Sequence, residues 1–141
     1  MNSKRGIRNC NPLNIRRVAG DVWKGQRHEQ TDLEFVQFDG LAWGIRAAYC
    51  IFDTYRQKYK ATCVEDIIAR WAPPSENDTD RYVQTVCRLT GFGGKERLSE
   101  NEWPKLVKAM ATVESGVTLA DRDIELGVQL YQMLNQKQTK K

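Results

Sequence analysis

One carboxylate at the end of a predicted helix is the strongest candidate for chemistry in this sequence. Residues 106–116 are Leu-Val-Lys-Ala-Met-Ala-Thr-Val-Glu-Ser-Gly, in which Leu106, Met110 and Val113 form an apolar stripe at helical spacing. Glu114 lies in the last turn, where the negative end of the helix dipole and apolar neighbours both favour a protonated carboxyl group. A carboxyl group that keeps its proton near neutral pH can act as a general acid. The alternative is that Glu114 is an ordinary solvated residue at a helix end.

The elements that would position Glu114 are predicted from periodicity and from helix-end signals. Ser99 and Glu102 form a capping box before the Glu114 helix, and Gly116 stops it. The same reasoning predicts four more helices, over residues 40–58, 64–71, 76–91 and 119–135. Two short strands, at residues 21–25 and 32–38, predict a small β-hairpin near the N-terminus. The fold class is therefore mainly α (α+β), with a hairpin before the helices.

Length and composition indicate one globular domain. The chain has 141 residues, of which 40% are hydrophobic and 28% charged, so we predict a domain over residues 1–136 and a frayed tail over 137–141. No apolar run approaches the roughly 20 residues that cross a bilayer, and the N-terminus lacks the apolar core of a signal peptide. We expect synthesis in the cytoplasm without export by a signal peptide.

The cysteine and histidine content argues against a metal site. The four cysteines lie far apart in the sequence and His28 is the single histidine, so neither a zinc site nor another cofactor is predicted. A Cys/His nucleophilic pair stays open as an alternative, but His28 lies in a very polar stretch without an evident orienting partner.

An asparagine-rich block near the N-terminus carries the first resemblance to known proteins. Residues 9–16 (Asn-Cys-Asn-Pro-Leu-Asn-Ile-Arg), followed by Trp23-Lys-Gly25 and by Phe35 and Phe38, resemble the segment after the catalytic glutamate in bacterial glucosaminidases and lytic transglycosylases. The block is also similar to the opening of phage and prophage proteins described as virion-associated peptidoglycan hydrolases. In this chain Cys10, Leu13 and Asn14 replace the usual loop residues of the first two families.

Two later blocks extend the resemblance to most of the chain. Residues 71–86, which include Glu76-Asn-Asp-Thr-Asp-Arg-Tyr-Val83, are similar to a late segment of lytic transglycosylases, and residues 111–116 look like their Glu-Ser-Gly motif. In those families the Glu-Ser-Gly helix precedes the asparagine-rich loop, whereas here it follows the other blocks. The resemblance therefore implies a lysozyme-like domain that is circularly permuted, which is physically feasible when the original termini lie close together on the surface.

The resemblance implies a peptidoglycan-cleaving glycosidase, either a lysozyme or a lytic transglycosylase, of phage or prophage origin. Such an enzyme would reach the cell wall after lysis or inside a virion, alongside virion or lysis-system proteins. Glu114 would protonate the glycosidic oxygen, with Tyr82 as a nearby hydroxyl group and Glu76 as a second acidic residue. The residues expected to bind the glycan are Asn11, Asn14, Ile15, Trp23 and Trp71.

Several points stay open at this stage. A hydrolase usually needs a second carboxylate about 5 to 9.5 Å from the first, and the candidates are Asp32, Glu34, Asp39, Glu76 and Asp78. A transglycosylase manages with one glutamate. A non-catalytic glycan-binding or virion structural protein with the same fold is the alternative to an enzyme. The net charge of +4 also suits nucleic acid, but no predicted helix has a concentrated basic face, so no specific nucleic-acid partner is expected.

Overall fold

Helices make up most of the computed structural model, which describes residues 3–139. The helices are α1 (Ser3–Arg8), α2 (Leu41–Tyr59), α3 (Val64–Trp71), α4 (Thr79–Thr90), α5 (Trp103–Ser115) and α6 (Asp121–Thr139), and a short 3₁₀ turn (Glu100–Glu102) precedes α5. The prediction of a mainly α protein is confirmed. The five predicted helices form within a few residues of their expected bounds, whereas α1 lies in a region for which no helix was predicted.

Local signals explain where these helices begin and end. The predicted capping box forms at Ser99 and Glu102, and the side chain of Asp78 accepts the Arg81 N–H at the start of α4. Gly91 and Gly116 have φ values of 80° and 68° where α4 and α5 end. Glycine adopts this left-handed conformation without the steric cost that other residues pay, so the end of α5 beside Glu114 is defined by Gly116.

The predicted β-hairpin does not form as two strands. Residues 21–25 and 32–38 are irregular, and the pairing that occurs near them consists of two isolated antiparallel bridges, Arg16–Phe35 and Gln26–Phe38. Side chains take the backbone groups that a strand ladder would use: Asp32 Oδ1 accepts the N–H groups of Glu34 and Phe35. Such local side-chain hydrogen bonds compete with regular strand pairing.

The core joins the helices to the irregular N-terminal chain. Tyr49 and Phe52 of α2 pack against Trp103 of α5, with ring centroids 5.3 and 5.5 Å apart, and Tyr49 also contacts Tyr131 of α6. The irregular chain adds fully buried side chains to the same core, among them Leu13 and Phe38 at 0% exposure. This shared core positions the N-terminal chain against the helices.

The C-terminal prediction is only partly within the described residues. Residues 137–139, expected to belong to a frayed tail, continue α6, while Lys140 and Lys141 lie outside the part of the chain that the structure describes. Across the described residues, none of the helices has the length and apolarity required to span a bilayer.

Candidate active site

The end of α5 meets the asparagine-rich block directly. The buried Ser115 hydroxyl donates to the Pro12 carbonyl at 2.6 Å, linking residues 103 positions apart in the sequence. Gly6 of α1 lies against the same hydroxyl, so closely that a β-carbon at position 6 would collide with it. This contact between Gly6, Pro12 and Ser115 places the residue before Ser115, Glu114, beside the asparagine-rich block.

Two side chains donate hydrogen bonds to the Glu114 carboxylate. Asn14 Nδ2 lies 3.2 Å from Oε1 and also 3.1 Å from the backbone carbonyl of Glu114. The Tyr82 hydroxyl donates to Oε2 at 3.0 Å. The block, α4 and α5, which are distant in sequence, therefore meet at one carboxylate.

Burial dominates the ionisation of this carboxylate. Loss of hydration raises the pKa of Glu114 above its usual value of 4.5, while the hydrogen bonds from Tyr82 and Asn14, a polar contact with Trp71 and the charge of Arg16 oppose that shift. Burial also raises the pKa of Tyr82 well above its ordinary value, and the adjacent Glu114 adds to the effect. Tyr82 therefore stays a neutral hydroxyl group.

Glu114 opens onto a groove of about 560 Å³. The groove brings together most of the predicted site residues, namely Asn14, Ile15, Trp23, Trp71 and Glu76. Trp23 and Trp71 are half-buried, so each leaves part of an indole ring accessible to a ligand. Asp21 and Arg16 also line the groove but were not predicted as site residues. Asp21 lay in a predicted strand, and no local signal in the sequence identified it.

Asn11 and Tyr82 hold different positions from those expected of groove residues. Asn11 is fully buried, and its amide bonds the carbonyls of Ile15 and Val36 and the N–H of Ile15. The prediction that Asn11 contacts substrate is therefore wrong, because its side chain is used to shape the block. Tyr82 does not line the groove and reaches it only through Glu114.

The structure narrows the set of possible second carboxylates. Asp32 is buried, and Arg5 and Asn9 bond it at 2.6 to 3.0 Å, while Glu34 pairs with Arg5 at 3.1 Å. Asp78 caps α4. None of these three side chains lines the groove, and neither does Asp39, so they are wrong as candidates. The remaining candidate is Glu76.

Asp21 joins Glu76 as a possible second carboxylate because both share the groove with Glu114. Among the described residues, no group of three or more His, Cys, Asp or Glu side chains could hold a metal ion. The four cysteines are free thiols.

Comparison with known proteins identifies a phage relative. No protein-family model matches the chain. The sequence is 40% identical over 114 residues to a protein named Protein P5 from Pseudoalteromonas phage PM2. The aligned region covers 79% of this chain and 71% of that relative.

Proposed function

The chain belongs to the family of Protein P5 of Pseudoalteromonas phage PM2, and we propose that it is a glycosidase that cleaves peptidoglycan with Glu114 as the general acid. The observation that carries the proposal is a half-buried carboxyl group that opens onto a groove and whose pKa is raised by loss of hydration. A glycan strand is long and uncharged along its sugar backbone, so it suits a groove with indole faces and one proton donor.

The contacts of Glu114 suit both of its charge states. When the carboxylate is ionised, Tyr82 donates to Oε2 and Asn14 donates to Oε1. A hydroxyl group can also accept, whereas an amide nitrogen can only donate. The proton of the acid form therefore belongs on Oε2, where it points to the Tyr82 hydroxyl in the free protein and turns to the glycosidic oxygen when a glycan is bound. Tyr82 and Asn14 act here as positioning residues.

The first chemical step follows from this arrangement. Glu114 transfers its proton to the glycosidic oxygen, the bond from that oxygen to the anomeric carbon breaks, and positive charge develops on the sugar ring. The Glu114 carboxylate that remains is stabilised by the hydrogen bonds from Tyr82 and Asn14. In a retaining hydrolase or a transglycosylase, Glu114 later takes back a proton from the water molecule or the substrate hydroxyl group that attacks the anomeric carbon.

The identity of that nucleophile separates the two reaction types. In an inverting hydrolase water attacks and the second carboxylate takes its proton, whereas in a retaining hydrolase the second carboxylate attacks and water then displaces it and gives its proton to Glu114. Glu76 and Asp21, which line the groove, are the candidates for this carboxylate. In a transglycosylase a hydroxyl group of the substrate attacks, its proton passes to Glu114, and an anhydro sugar forms without added water. The hydrolase and the transglycosylase therefore share the first step, in which Glu114 protonates the glycosidic oxygen.

We also propose that the domain is a circularly permuted lysozyme-like fold. Its support is that the asparagine-rich block, α4 and the end of α5 meet around Glu114 although their order along the chain is rotated. Contacts between α1 and α5 place the beginning of the described chain beside the proposed catalytic helix, as a permutation at this point requires.

A phage or prophage origin is part of the same proposal, supported by the phage relative. We propose that the protein acts on the cell wall after lysis or from a virion, together with virion or lysis-system proteins. A glycan-binding or virion structural protein without activity is the competing function.

Digestion of purified peptidoglycan by the wild type, Glu114→Gln and the control Glu125→Gln tests the proposal. Glu125 is an exposed residue of α6. Glu125→Gln therefore removes the same negative charge as Glu114→Gln but does not alter the groove. We expect fragments from the wild type and the control and about a thousandfold lower rate for Glu114→Gln, in keeping with the loss of a general acid. A product lighter by one water identifies a transglycosylase.

Two outcomes would contradict the proposal. Equal fragment release by Glu114→Gln and the wild type would show that Glu114 is not the acid. If no variant releases fragments but the wild type binds peptidoglycan, the glycan-binding function replaces catalysis. Loss of the hydrated product in Glu76→Gln or Asp21→Asn would identify the second carboxylate of a hydrolase.

A further inference from the structure

A second depression continues from the groove on the side of the irregular N-terminal chain. This side depression has a volume of about 420 Å³, and its lining includes Arg17, Val18, Asp21, Trp23 and Leu33. Val18, Asp21 and Trp23 line the groove as well. The groove and the side depression are therefore neighbours, separated by these three residues.

The walls of the side depression combine exposed apolar groups with a fixed cation. Val18 is 59% exposed and Leu33 is 90% exposed, so the side depression presents two apolar side chains to solvent. One N–H group of Arg17 donates to the Asp32 carbonyl at 2.7 Å, so the guanidinium is held at the wall. Such a surface suits a ligand with both small apolar groups and carboxylates.

Charge also distinguishes this side of the groove. Arg16 is the one basic residue among the described groove-lining residues, and it stacks on Phe35 at 5.4 Å and lies 3.7 Å from Glu34. Arg16 in the groove and Arg17 in the side depression thus put one cation on each side of the wall that Val18, Asp21 and Trp23 share. An uncharged sugar ring does not need two cations, whereas an anionic substituent of the sugar would.

We propose that the side depression binds the stem peptide that the muramyl sugars of peptidoglycan carry. This inference rests on the proposed function, because it takes peptidoglycan as the substrate. The stem peptide branches from the glycan through a lactyl group and contains alanine methyl groups, free carboxylates and a diamino acid. Leu33 and Val18 fit the methyl groups, Arg16 and Arg17 fit the carboxylates, and Asp21 fits the free amino group.

The consequence is a preference for peptide-bearing glycan over glycan without peptides. Binding can be measured with Glu114→Gln as the parent protein, so that no substrate is consumed. The two probes are a soluble tetrasaccharide of alternating N-acetylglucosamine and N-acetylmuramic acid with its stem peptides, and the same tetrasaccharide in which an amidase has removed the peptides and the lactyl carboxylates are then capped as methylamides. We expect the peptide-bearing probe to bind about tenfold more tightly by calorimetry.

Charge variants at Leu33 test the side depression itself. Leu33→Asp should remove most of the tenfold ratio, because like charges repel the peptide carboxylates, whereas Leu33→Lys should keep or increase it. Leu33→Asn separates the loss of apolar contact from the added charge. The matched control is Leu126→Asp on α6, which is 46% exposed and lines neither the groove nor the side depression, and it should leave the ratio unchanged.

The outcomes separate this inference from the proposed function. Equal binding of the two probes, or a ratio that Leu33→Asp does not change, overturns the stem-peptide site even if the wild type cleaves peptidoglycan. The expected ratio in a protein whose wild type cleaves nothing supports the stem-peptide site and overturns the catalytic function. A change in solution mass on Leu33→Asp would instead assign the surface to a second copy of the chain.

Discussion

The backbone groups of the N-terminal segment (residues 9–39) and of the helical body (residues 41–139) find different kinds of hydrogen-bond partners. In the helical body, backbone groups bond within each helix and apolar packing holds the helices together. In the N-terminal segment, buried polar side chains of Asn11, Asp32 and Gln37 bond the backbone. Glu114 lies where the two regions meet, so a carboxyl group of raised pKa contacts the polar network of the N-terminal segment through Asn14.

The comparison predicts that truncation of a buried apolar side chain in the helical body has the largest effect on stability. Leu106 of α5 is fully buried, and Leu106→Ala should lower the free energy of unfolding by roughly 4 kcal/mol, because it removes buried apolar contacts and leaves a cavity. Urea unfolding measures this value. Because both regions share one core, amide protection should fall in both of them.

The matched control for Leu106→Ala is Leu89→Ala, since Leu89 is 49% exposed. Leu89→Ala should lower the free energy of unfolding by less than about 1 kcal/mol. Equal costs at the two positions would mean that α5 is not part of the stabilising core.

Removal of a buried polar side chain in the N-terminal segment should have the next largest effect on stability, and that effect should be more local. Asn11→Ala removes the partners of the buried Val36 carbonyl and Ile15 N–H, which should cost roughly 2 to 3 kcal/mol. Hydrogen exchange should accelerate most in residues 12–38 and least in α3. Asn77→Ala is the control, because exposed Asn77 bonds a single carbonyl. Uniform acceleration across the molecule would contradict the distinction between the two regions.

The same difference explains what the sequence could predict. The helical body repeats apolar residues at helical spacing and carries helix-end signals, so its helices were predicted from residues close together in the chain. The N-terminal segment depends on partners such as Arg5 and Asp32, 27 positions apart, which no local pattern identifies. The expected hairpin was therefore wrong, and Asn11 was assigned to substrate instead of to the backbone.

The candidate site lies between these two cases. Glu114, Tyr82 and Asn14 were selected from separate sequence blocks, and the structure brings them within hydrogen-bond distance. Periodicity could place Glu114 at a helix end, but it could not show which side chains bond it. Asp21 was missed because it lay in a predicted strand, and the conformation that turns it toward the groove depends on tertiary contacts.

A charge deletion at Asp32 should have an effect on stability that depends on pH. The hydrogen-bonded ion pair with Arg5 holds the pKa of Asp32 well below its usual value of 3.8, against the opposing effect of burial. The stability that this pair contributes is present above pH 3.8 and is lost as the pH falls toward the pKa of the folded state. Asp32→Asn should therefore flatten the acid limb of the plot of unfolding free energy against pH.

Glu34→Gln is the control for Asp32→Asn, because the exposed Glu34 carboxylate contacts the same arginine. It should leave most of the acid limb in place. At neutral pH, Asp32→Asn keeps the acceptor for the N–H groups of Glu34 and Phe35 on Oδ1, but its amide nitrogen replaces the oxygen that accepts from Arg5 and Asn9. An unchanged acid limb in Asp32→Asn would show that this pair does not link the segment's stability to pH.

The smallest expected effect on stability is that of Glu114, and it depends on pH in the opposite direction from that of Asp32. Burial raises the pKa of Glu114 above 4.5, so the folded state holds this proton more tightly than the unfolded state. The resulting stability is fully present below pH 4.5 and is lost as the pH rises through the raised pKa. Glu114→Gln resembles the protonated acid and has no proton to lose, so its stability relative to the wild type should increase from pH 4 to pH 7 in urea unfolding.

Tyr82→Phe sharpens this measurement. The Tyr82 hydrogen bond lowers the pKa of Glu114, so its removal should move the loss of stability to higher pH, together with the basic limb of any glycosidase activity. If Glu114→Gln and the wild type keep a constant difference across this range, Glu114 titrates as a solvated residue. The N-terminal segment would then still favour an ionised Asp32, but the groove would not favour a protonated Glu114. The proposed reaction requires that protonated carboxyl group.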